Sequence, residues 1–124
     1  MSAPFARFVT REELTLRRDE WRVLSESAIE TNPFYGPDLL LAALQSGASR
    51  NETRVLIVER DDRLLGLFPL QRPFLRDGAM GLGWMLYRDP LTCLTVPLIA
   101  PEGAKETLAT ALAFLGRRAE EFVR

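Results

Sequence analysis

The stretch RVLIVERDDRLLGLFPLQRPFL, Arg54–Leu75, decides the fold. Val55, Leu56, Ile57 and Val58 form an unbroken apolar run, the pattern of a strand buried on both faces. Asp61-Asp62, flanked by Arg60 and Arg63, marks a tight turn, since Asp favours turns and tolerates their backbone angles. Leu64, Leu65, Leu67, Phe68 and Leu70 then run back, interrupted by Gly66 and Pro69. The reading is an antiparallel hairpin with strands near Thr53–Arg60 and Arg63–Pro73. So apolar a hairpin has to be covered, and the chain supplies amphipathic helices before and after it. No catalytic constellation lies in the stretch.

Upstream, Phe5–Val9 reads as a short strand. Thr10-Arg11-Glu12-Glu13 has the spacing of a capping box, and Leu14, Trp21, Leu24 and Ala28 lie close to one helical face. These predict a helix from Glu12 to Glu30. Pro33 pushes Asn32 out of the helical region, and Gly36-Pro37 restarts the chain. Pro37 suits a first helical turn and Asp38 suits the positive end of a helix dipole, so a second helix is expected over Pro37–Gln45. The loop between the helices, Asn32-Pro33-Phe34-Tyr35, has two readings. It is a hydrophobic plug between two helices, or it lines a substrate cleft to which Tyr35 offers its hydroxyl.

Downstream, Arg76-Asp77-Gly78 is a turn and Ala79–Leu86 reads as a third strand. Gly81 and Gly83 within it mark either a bulge or close backbone approach, or nothing more than ordinary glycine usage. Asp89-Pro90 starts a loop, and Leu91–Ile99 holds one more short strand. The last helix is predicted over Glu102–Phe122, with Leu108, Leu112, Leu115, Ala119 and Phe122 on one stripe. That stripe predicts that Leu112 is buried and shares a core with Ile57. The fold class is therefore α+β: a mainly antiparallel sheet of about four strands packed with three helices.

Composition narrows the function classes. With 124 residues, 47% hydrophobic and 27% charged, the chain reads as one ordinary globular domain. A net charge of −1 gives no field that would draw it to nucleic acid or an anionic membrane. Fifteen of its cations are Arg and one is Lys105, which with abundant Leu and Ala suggests a GC-rich bacterial source; the Arg are scattered and read as solvated surface. The absence of His rules out Ser-His and Cys-His nucleophile pairs and His-based metal sites within the chain. Cys93, the lone cysteine, points to a reducing compartment and reads as a small core residue or, alternatively, a reactive thiol. No targeting segment or membrane-spanning run is present, so the expectation is a cytoplasmic protein without membrane insertion.

Several soft motifs in a fixed order carry a family resemblance. They are Trp21 and Leu24, Asn32-Pro33-Phe34-Tyr35 followed by Leu39–Leu44, Val55-Leu56-Ile57-Val58, Leu65-Gly66-Leu67-Phe68-Pro69-Leu70, and Pro90–Pro101 with the helix behind it. In this order the chain resembles the CelD-type acetyltransferase-like family associated with bacterial cellulose biosynthesis, within the GNAT superfamily. Members are longer and pair GNAT-like regions, as the Fem-type aminoacyltransferases do. The resemblance implies that residues 1–124 are a single partial GNAT-like domain, the amino-terminal portion of an acyltransferase of polysaccharide or cell-envelope modification. It also implies an acceptor-side, substrate-binding surface formed by Asn32, Phe34, Tyr35 and Tyr87, with no catalytic residues in this chain.

A GNAT domain cradles the acyl-CoA pyrophosphate in a Gln/Arg-x-x-Gly-x-Gly/Ala loop, whose N–H groups and helix end attract phosphate. Here the matching helix follows Ala100-Pro101-Glu102-Gly103-Ala104, where Pro101 has no N–H and Glu102 adds negative charge. The expectation is no cofactor in this chain, with acyl-CoA a cofactor of the full-length protein. Partners expected are a carboxy-terminal acyltransferase half or a second copy. The alternatives are an interaction module that pairs through an unfinished sheet, and a small active acetyltransferase.

Overall fold

Strands β2 (Glu52–Arg60) and β3 (Arg63–Arg72) form the hairpin, with Arg60 opposite Arg63 and Glu52 opposite Arg72. Asp61 and Asp62 both take positive φ, 52° and 65°. That is the twist of a primed two-residue turn, and Asp is among the few residues that accept it. The computed structural model describes residues 2–46, 52–72, 84–89, 92 and 94–123, with side chains described through Arg117. Cys93 and the greater part of the expected Ala79–Leu86 strand lie outside the described residues, as do the side chains of Ala119 and Phe122.

The sheet is antiparallel throughout, in the order β1 (Phe5–Val9), β2, β3, β4 (Met85–Leu86). β5 (Leu98–Ile99) also pairs with β3, further along the same edge. β4 sits against Leu70 and Gln71, and β5 against Leu67 and Gly66. The two lie along one edge of β3, and between them the described residues 87–89, 92 and 94–97 form an excursion from the strand. A register shift between Val58 and Glu59 leaves Leu65 without a partner on β2, and its carbonyl instead accepts the N–H of Ala100 at 2.8 Å.

The sheet is covered on both faces, as the apolar runs require. On one face Val55, Ile57, Leu67 and Leu98 meet Leu14, Trp21, Leu24, Leu40 and Leu41 of helices α1 (Arg11–Leu16), α2 (Arg18–Ser27) and α3 (Pro37–Ser46). On the other, Leu56, Val58, Phe68 and Leu70 meet Ala111, Phe114 and Leu115 of α4 (Ala104–Val123). The fold is α+β, an antiparallel sheet with helices on both faces. Among the described residues no helix is long and apolar enough to cross a membrane.

Two expectations are corrected. The helix predicted over Glu12–Glu30 is two helices broken at Arg17, which adopts φ −105°, ψ 23°, and the second ends at Ser27. The break turns the Arg17 guanidinium toward the sheet. The early end frees Ile29 to donate its N–H to Ile99 O at 2.9 Å, which closes part of the β5 edge. The second correction concerns α4. Leu112 is 60% exposed and Leu108 42%, whereas Thr107 and Ala111 are buried. Close packing explains the rotation: a Cβ at Gly66 would lie 2.8 Å from Thr107 Cγ2 and 3.0 Å from Phe68 Cε1. The helix approaches β3 through small residues where β3 has no side chain, and Leu108 and Leu112 fall to the flank.

A buried carboxylate ties the layers together. Glu59 Oε1 accepts from Arg7 Nε of β1 at 2.6 Å, and Oε2 from Arg17 Nη1 at 2.7 Å. Arg17 also holds Glu20 and the carbonyl of Asp62 in the turn. Glu20 in turn accepts the Leu64 N–H at 2.7 Å, just before the bulge. Arg7 bridges onward to Glu13.

Gly66→Ala is expected to cost ~1–3 kcal/mol by overpacking against Thr107, while Leu112→Ala stays within ~0.5 kcal/mol because its side chain is mostly in water. Urea unfolding of the two variants checks the orientation of α4, and the reverse ranking would refute it. Acid provides the second check. Burial, the largest influence on Glu59, opposes ionisation, but hydrogen bonds from Arg7 and Arg17 outweigh it and hold the carboxyl below its ordinary 4.5. A lowered folded-state pKa gives stability that is fully present above the unfolded value and lost as the pH falls through the folded one. The wild type should therefore lose stability below pH 4.5, and Glu59→Gln should start about 3 kcal/mol lower at neutral pH with a flatter acid slope. Parallel pH profiles for the two proteins would remove Glu59 from the acid response.

Candidate functional site

The loop between α2 and α3 is built from its own sequence. Asn32 caps a 3-10 turn over Pro33–Tyr35, its Oδ1 accepting the Phe34 N–H at 3.1 Å, with Pro33 pre-set for the first position. Trp21, fully buried on α2, donates its indole N–H to Tyr35 O at 2.8 Å and fixes the turn against the helix layer.

From this turn two side chains reach the excursion in the edge strand. The Asn32 Nδ2 group donates to Leu94 O at 3.1 Å and Val96 O at 2.9 Å. The Tyr35 hydroxyl donates to Tyr87 O at 2.7 Å. The second bond has a cause in the sheet. Tyr87 N–H donates to Pro69 O at 2.7 Å, the bond of an antiparallel pair whose reciprocal donor would be the N–H of residue 69. Proline has none, so the Tyr87 carbonyl needs another donor, and Tyr35 supplies it.

The chain of bonds continues outward. Tyr87 OH donates to Asp89 Oδ2 at 2.7 Å and Thr92 Oγ1 donates to Asp89 Oδ1 at 3.1 Å, while Thr92 N–H closes a turn onto Asp89 O at 3.0 Å. Burial pushes the Tyr35 phenol up, and burial with the hydrogen bond to Asp89 does the same for Tyr87. Both are neutral donors at physiological pH. Above the unit lies a pocket of about 290 Å³ lined by Phe34, Leu39, Ala42, Ala43, Asp89 and Thr92, with Ser46 at its margin.

The four residues expected from the sequence thus come together. Asn32, Tyr35 and Tyr87 are buried and hydrogen-bond within the protein, and Phe34 is the one of the four that lines the pocket. Asp89 and Thr92 were missed. Their signal was present: Asp before Pro with Thr two residues further on is a turn in which the carboxylate serves neighbouring donors. At the pocket the Thr92 hydroxyl meets a carboxylate also held by Tyr87. Among the described residues no group of His, Cys, Asp and Glu could hold a metal ion.

The start of α4 does not fit a pyrophosphate. Glu102 is there, 3.3 Å from Arg63, Glu106 occupies the first turn, and Pro101 offers no donor. A second concavity lies between α4 and the sheet edge. It is an apolar groove of about 480 Å³ lined chiefly by Trp84, Met85, Leu86, Ile99, Leu108 and Leu112, with Glu30 at its rim. Register alternation turns the N–H and C=O of Leu86 away from β3 beside it, and no described residue pairs with them.

Tyr35→Phe keeps the ring and removes the donor to a buried carbonyl, so a loss of ~1–3 kcal/mol is expected. Thermal unfolding of this variant beside Phe34→Leu, which touches no hydrogen bond of the unit, checks it. An unchanged Tyr35→Phe midpoint would show that the carbonyl finds another donor.

Comparison with protein-family models, with curated proteins and with solved structures returned no match.

Proposed function

We propose that this chain is the amino-terminal, cofactor-free portion of a GNAT-like acyltransferase of polysaccharide or cell-envelope modification, and that it contributes acceptor-side surface. The observation that carries the reading is the joining of the Asn32–Tyr35 turn and the Tyr87–Thr92 excursion into one hydrogen-bonded unit beneath a pocket. The pocket combines the Phe34 ring and the apolar side of α3 with hydroxyl and carboxylate groups. Such a lining suits a ligand with a C–H face and hydroxyl edges, which is the chemistry of a sugar. The start of α4 supports the cofactor-free part, and the acyl donor would then be held by residues outside this chain.

A second reading, a non-catalytic interaction module that pairs through its unfinished sheet, is favoured by the groove beside Leu86. Met85 and Leu112 are more than half exposed there, and apolar side chains grouped on one surface mark contact sites more often than scattered ones do.

Titration of the isotope-labelled chain with cellobiose, followed by two-dimensional NMR, tests the first reading. Saturable shifts at Phe34, Ala42, Ala43 and Thr92 are expected, with their loss in Phe34→Ala. Shifts elsewhere, or none, would overturn the acceptor-side assignment. Light scattering over a concentration series tests the second. Self-association that Leu112→Asp abolishes is its expected outcome, and a wild-type monomer throughout would count against pairing between copies.

A further inference from the structure

We draw no further inference here: the strongest candidate, the apolar groove between α4 and the interrupted β4–β5 edge, already belongs to the site described, and nothing in the structure shows what covers it.

Discussion

Pro69 sits in the middle of a central strand and has no N–H to give. On the β2 side this costs nothing, because the groups of residue 69 that matter for pairing point toward the opposite edge, where Pro69 O meets Tyr87 N–H. On that edge the missing donor stops β4 after two residues and leaves the Tyr87 carbonyl to be satisfied from elsewhere. The course of this edge follows. The chain leaves the edge at Tyr87, crosses over the Asn32 turn, and returns as β5 at Leu98. The candidate pocket is the space that this departure opens between the excursion and α3.

The hairpin was legible because its signals were local and agreed with one another: an apolar run, an acidic turn and a second apolar run, each sufficient for strand, turn and strand. Val55–Val58 are all buried, as strands covered on both faces demand. The break at Arg17 was not legible, because the partner it brings Arg17 to, Glu59, lies far along the chain, and a periodic pattern of Leu14, Trp21 and Leu24 survives a one-residue kink. Nor was the facing of α4. Hydrophobicity ranks Leu108 and Leu112 above Thr107 and Ala111, but the distance of closest approach to Gly66 chooses the smaller pair. For the site, residue types were readable and roles were not. Asn32 and Tyr35 stand out as polar groups in an apolar loop, yet only the tertiary structure reveals that the groups they bind are backbone carbonyls.

The Glu59 cluster shows how charge is used in a domain with so little interior. An isolated buried carboxylate would be expensive, and an ion pair in the interior is seldom a net gain over apolar packing. Here the carboxylate accepts from Arg7 of β1 and from Arg17 at the α1–α2 junction, and Arg17 also donates to the Asp62 carbonyl of the hairpin turn, so three elements meet at one point. Its value lies in fixing which helix end meets which strand end.

The bonds of the pocket differ from those of the hairpin in how far they reach. Tyr35 and Tyr87 are 52 residues apart, and Asn32 meets carbonyls 62 and 64 residues away. The hairpin closes over two residues. Long closures are entropically dearer, by ~0.6 kcal/mol for each doubling of the loop, and form only once the intervening chain is ordered. The described residues between β4 and β5, with few ladder bonds of their own, accordingly belong to a less stable cooperative unit than the hairpin. The amide hydrogens of Thr92, Leu94 and Val96 should exchange with solvent through openings that leave the hairpin paired.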